Sequence, residues 1–172
     1  KDDERRAARA FREAIALRPD EPQAYLNLGV ALTNSGHDVE AAQRLLEAKE
    51  RYSVGSERWA VATAAAFDLL YQETCAEVAK PEWWNDEGLK ALSASVVRAA
   101  PDDLVANRMR ANVLSGQDDA WDAGPRSAAE LREAATHFER AAALCPAPAA
   151  KADSTPVMRP CAAIWQRPCS LT

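Results

Sequence analysis

The sequence predicts an all-α chain, an α-α superhelix built from helical hairpins, and three observations carry that expectation. Of 172 residues, 38 are alanine, against 12 Val or Ile and 11 Phe, Trp or Tyr. Alanine has the best intrinsic helix propensity, whereas strands draw on the β-branched and aromatic residues that are scarce here. A pattern of small and large apolar residues recurs at helical spacing, with an offset of 34 residues between its first two occurrences. Turn-forming residues follow each occurrence, with prolines at Pro19, Pro101 and Pro146.

Taken in order, Ala7, Phe11 and Ala14 share one face of a first helix that Pro19 stops, because proline cannot continue the hydrogen-bond ladder. Pro19-Asp20-Glu21-Pro22 restarts the chain into a second helix. Its Tyr25, Leu28, Gly29 and Leu32 fall at i, i+3, i+4 and i+7 and make one apolar stripe. Asn34-Ser35-Gly36 supplies a tight turn, and Ala41, Leu45 and Ala48 then repeat the first pattern, closing at Ser53. Where the two helices cross, Gly29 and Ala41 remove side-chain bulk, and Leu28 and Leu45 fill the adjacent volume.

A third pair opens at Ser56 with Trp59. Its first helix is expected to run toward Ala79 and its partner to end at Pro101, 14 residues later than a regular repeat. That insertion carries Pro81, Trp83 and Trp84. The fourth pair runs from about Pro101 to Leu114, then through Ala134, Phe138 and Ala141 to Pro146, with an insertion of 11 residues around Trp121. Residues 1–146 therefore read as one helical repeat domain, regular over about 1–55 and divergent over 56–146. Residues 147–172 hold Pro148, Pro156, Pro160 and Pro168 without a helical period, and read as an extended or disordered tail. The tail carries +2, which leaves −7 on the body of a chain whose net charge is −5.

The segment AARAFREAIALRPDEPQAYLNLGVALTNSGHDVEAAQRLLEAKERYS resembles the tetratricopeptide repeat. Pro22 opens a full repeat, Tyr25 takes the aromatic place and Leu28-Gly29 the leucine-glycine pair, with Leu32 in place of the usual tyrosine. Ala41, Leu45 and Ala48 take the Ala, Phe and Ala places, and Ser53 replaces the closing proline. Trp59, Ala134, Phe138 and Ala141 continue the pattern in the divergent half, where Ala62-Thr63 stands for Leu-Gly. The resemblance implies a stack of helix pairs whose first helices line a concave groove. It places Gln23, Leu26, Asn27, Val30, Thr33 and Asn34 there, followed by Glu57, Ala60, Val61, Ala64, Phe67 and Asp68, and then by Arg108, Met109 and Asn112. Asn27 is similar to the asparagine of the family's carboxylate clamp, but the cations which that clamp also needs are replaced by Glu57 and Val61.

The chemistry of catalysis is not visible. A nucleophile with its base, a metal set or a phosphate cradle would be required, and the two histidines, His37 and His137, stand alone in sequence. No cofactor or metal is expected, and Asp2-Asp3-Glu4 and Asp118-Asp119 read as helix-start or loop charges. A net charge of −5 with mixed signs offers no footprint for nucleic acid. The longest apolar stretch, 59–71, is too short and, with Asp68, too polar for membrane insertion. Cys75, Cys145, Cys161 and Cys169 lack metal or disulfide-scaffold spacing and read as reduced thiols, so a cytoplasmic location is expected, with any targeting signal outside these residues.

The functional expectation is a non-catalytic protein-interaction scaffold or adaptor. It would bind a peptide or helix in the groove, or dock as a subunit in a larger assembly with Trp83 or Trp84 as a contact anchor. Adjacent residues on a helix point about 100° apart, so one of these tryptophans is expected to close the third pair and the other to be exposed. The alternative is a regulatory or substrate-selecting fragment of a larger enzyme such as a glycosyltransferase.

Overall fold

The computed structural model of the chain describes residues 2–116 and 120–145. Among them are seven α-helices and no strand: α1 (Asp2–Leu17), α2 (Pro22–Ser35), α3 (Asp38–Arg51), α4 (Glu57–Leu70), α5 (Asp86–Ala99), α6 (Leu104–Ser115) and α7 (Ala128–Leu144). A 3-10 turn at Glu73–Cys75 follows α4. The Pro-rich tail 147–172 and Asp118-Asp119 lie outside the described residues.

Local chemistry sets the helix ends. The Ser56, Asn85 and Asp103 side chains accept from the backbone N–H of Trp59, Gly88 and Ala106, satisfying donors that a helix start leaves orphaned. Ser127 and Glu130 form a reciprocal capping box at the start of α7. At its other end α4 stops at Leu70 instead of running toward Ala79. Lys80 folds back to donate to Leu70 O (2.6 Å) and Cys75 O (3.0 Å), supplying the carbonyl at the helix end with a partner that a further turn would have provided.

Each helix packs on the next, and α4 also packs on α6. The connections from α1 through to α4, and from α5 to α6, are too short for anything but an immediate reversal, so these neighbours run antiparallel. Two cores result, and α4 serves both. Its Ala62, Ala66, Leu69 and Leu70 join Tyr25, Leu28, Leu32, Ala41, Leu45 and Ala48 in the first. Trp59, Ala60, Ala64 and Phe67 join Leu89, Val96, Met109, Val113 and Trp121 in the second. On α1 the buried residue is Ala8, while Ala7, Phe11 and Ala14 are half-buried, because this end helix packs mainly on α2 and reaches α3 through Arg12 and Glu40. Ala134 and Ala141 of α7 are buried and Phe138 is half-buried.

The crossing of α2 and α3 depends on the missing side chain of Gly29. A Cβ there would lie 2.6 Å from Leu45 Cγ, 2.8 Å from Leu45 Cδ2 and 3.4 Å from Ala41 O. We expect Gly29→Ala to destabilise the fold by about 1–3 kcal/mol through overpacking, read as a lower urea midpoint. In a Leu45→Ala background Gly29→Ala should cost much less, since truncating Leu45 at Cβ removes both atoms that the added methyl meets.

Candidate partner-binding face

The expected groove residues do not share one open surface. Gln23, Asn27, Val30 and Asn34 lie half-buried along α2, and Glu57 is exposed in the first turn of α4. Further along α4, Ala60, Ala64 and Phe67 are buried. Phe67 stacks on Tyr71 (ring centroids 5.5 Å apart) and packs against Trp84 (5.3 Å) and Trp121 (6.3 Å). It is therefore a core residue, because the two insertions bring their tryptophans onto the face where a ligand was expected. Arg108 of α6 is also committed, reaching Asp68 of α4 at 2.7 Å. Burial pushes the Asp68 carboxyl up and the Arg108 guanidinium draws it partly back. Asn112 stays half-buried on α6, its side chain without a hydrogen bond among the described residues.

Trp83 and Trp84 lie in a turn before α5, so the helical spacing argument does not apply to them. Both are half-buried, with their rings 5.8 Å apart. Trp84 Nε1 donates to Ala120 O (2.8 Å) in the second insertion, and Lys49 and Lys80 lie over the rings of Trp83 and Trp84. The expected split into one buried and one exposed ring does not occur.

A network that the sequence pattern did not reveal ties the two insertions together. Arg126 donates from its two terminal nitrogens to Asp86, at 2.9 and 2.5 Å, and also to Val113 O and Gly124 O. Trp121 Nε1 donates to the same carboxylate at 3.3 Å, and Lys90 bridges Asp86 (3.1 Å) to Glu130 (2.8 Å). Gly116, in the left-handed region at φ 58°, leaves room for this guanidinium: a Cβ would lie 2.7 Å from Arg126 Nε. The Arg126 hydrogen bonds hold the Asp86 carboxyl far below the usual carboxylate range, and the Lys90 ammonium pulls Glu130 down to about 2. These partners are 35 and 40 residues apart, and Trp121 and Arg126 lie in the connection between α6 and α7, where helical periodicity carries no signal.

The last pair is pinned by buried Asn107. Its amide donates to Pro101 O and Asp103 O, both at 2.8 Å, so its oxygen is left to accept from His137 Nδ1 at 2.8 Å. Burial lowers the His137 pKa; Glu133 opposes that shift, and Arg110 and Arg140 add to it. His137 thus joins α6 to α7. No His, Cys, Asp or Glu grouping among the described residues could hold a metal ion. Cys75 is a buried free thiol, raised in pKa by burial, whereas Cys145 is disulfide-bonded and departs from the expected reduced set.

The open polar face lies where α2, the end of α3 and the start of α4 meet. Gln23 Oε1 accepts from Tyr52 Oη (3.1 Å) and from the Arg58 guanidinium, and Gln23 Nε2 donates to Asn27 Oδ1 (2.8 Å). The free capacity that remains on Asn27 Nδ2 and Arg58 consists of donors. Tyr52 and Arg58 lie outside the residues that the repeat pattern selected. No family model matches the chain, and no curated protein matches it. No helix among the described residues is long and apolar enough to cross a membrane.

Two outcomes follow. Asp86→Ala, which strands the Arg126 guanidinium at 6% side-chain exposure, should cost about 3–5 kcal/mol in urea unfolding. Stability should also fall in two acid steps. Below pH 6.5 the unfolded chain binds a proton at His137 that the buried ring resists, so stability drops as pH falls through that range. Below about pH 4 the unfolded carboxylates of Asp86 and Glu130 protonate while the folded ones stay ionised, so a second loss follows. Urea midpoints across pH check this: His137→Gln should flatten the first step and Asp86→Asn the second.

Proposed function

We propose that the chain is a tetratricopeptide-repeat-like piece of a helical solenoid, acting as a non-catalytic scaffold that binds a peptide of a partner protein. The single observation that carries this reading is the donor set at Asn27 and Arg58, oriented by Gln23. The free donors on Asn27 Nδ2 and the exposed Arg58 guanidinium favour ligand acceptors at this point of the face, with the Glu57 carboxylate beside them as an acceptor. The backbone carbonyls and carboxylates of an acidic peptide have that chemistry.

Two further features favour a short footprint. The α4 positions that would extend the groove are filled by Phe67 and the tryptophans, and Arg108 is paired with Asp68. The ligand is therefore assigned to α2 and the first turn of α4, with Asn34 and Glu57 at the margins.

The test is fluorescence anisotropy with a labelled peptide library graded in glutamate content. Asn27→Ala/Arg58→Ala should weaken the best acidic binders by about tenfold or more, the loss expected from one or two charge-assisted hydrogen bonds. Asn112→Ala should leave them unchanged. Equal binding by both variants, with circular dichroism unaltered, would overturn the assignment.

A further inference from the structure

We infer that Thr74 is a phosphorylation site, and that the phosphate acts by releasing the first insertion from α3. Thr74 is exposed in the 3-10 turn Glu73–Cys75, between α4 and α5. The backbone hydrogen bonds around it are local: Cys75 N–H to Gln72 O, Ala76 N–H to Glu73 O and Val78 N–H to Cys75 O. Extending the segment into a kinase groove therefore unwinds no α-helix, and its cost is the withdrawal of the buried Cys75 side chain from the first core. Among the described exposed hydroxyls, Thr74 is distinguished by what it holds. Its Oγ1 donates to Asp38 Oδ2 at 3.3 Å, across 36 residues, and so joins the insertion to the first residue of α3.

Asp38 is 8% exposed, and its Oδ1 has no hydrogen-bond partner. Among the described residues the carboxylate's side-chain hydrogen bonding is thus one long contact from Thr74. Replacing that donor by a phosphate removes the hydrogen bond and sets a dianionic group beside a buried negative charge, the arrangement in which phosphorylation disrupts by repulsion. Lys80, the nearby cation, already donates to Leu70 O and Cys75 O. A phosphate that draws its ammonium away also undoes the closure of α4.

Charge indicates the kind of kinase. Between Arg58 and Arg98 the exposed charged side chains are Glu73, Glu77, Glu82 and Glu87, all acidic. A kinase that accepts this segment must therefore present a basic substrate groove. In the transfer, Thr74 Oγ1 bonds to the γ-phosphorus of a nucleoside triphosphate as the bond to the β-phosphate oxygen breaks. The nucleoside diphosphate leaves, and the hydroxyl proton passes to the kinase's general base.

The experiment incubates the full chain with ATP and an acid-directed Ser/Thr kinase, maps phosphate by peptide mass spectrometry, and follows amide hydrogen exchange. Phosphate is expected on Thr74, with exchange over residues 71–85 faster by about tenfold or more, a range typical of one lost interaction set. In Asp38→Asn the same phosphate should loosen the segment much less, because the repulsion is gone. Absence of phosphate at Thr74 overturns the proposal, as does phosphate at Thr74 with unchanged exchange, or equal loosening in Asp38→Asn.

Discussion

With 38 alanines among 172 residues the chain has little bulk to bury, and that shortage governs how it holds together. The hydrophobic effect scales with apolar area removed from water, so small side chains stabilise a core only if the helices come very close. The α1–α3 region takes that route. Gly29, Ala41 and Ala48 let the backbones approach, and Leu28, Leu32 and Leu45 fill what is left. The region around α4–α6 takes another, importing bulk from its connections.

The imported bulk explains the second core. Trp84 from the first insertion and Trp121 from the second meet over Phe67 and Tyr71, and each aromatic pair of this kind contributes about 0.5–1.5 kcal/mol beyond its burial. Asp86 and Arg126 hold the two insertions in register from the polar side. A buried pair of this kind is a weak net source of stability, but losing either member is costly. The ion pair therefore acts as a constraint on geometry: the aromatic rings are placed where the guanidinium and carboxylate meet.

Filling the core in this way redistributes the surface. Phe67 and the alanines of α4 become interior, Arg108 is spent on Asp68, and the polar face that stays open shifts toward α2 and the α3–α4 turn. The same first insertion rests on α3 through the Thr74 hydroxyl, buried Cys75 and the Trp83 ring under Lys49, and on α4 through Lys80. Its aromatic end and its 3-10 turn thus sit only a few residues apart, within one connection.

The seven helices, their order and the position of both insertions were legible in the sequence. Alanine content, 3.6-residue periodicity and proline punctuation are local properties, and each acts through the backbone of the residues that carry it. The packing role of Gly29 was legible for the same reason, since a glycine in an apolar stripe marks a close approach. The fate of Phe67, Trp83 and Trp84, the end of α4 and the union of Asp86 with Arg126 were decided only by tertiary structure. They depend on where two irregular connections fold back, and no periodicity links Asp86, at the start of α5, to Arg126, 40 residues on in a connection. The sequence determined which segments are helices; which of their faces remain free was determined by the side chains that the connections bring to cover them.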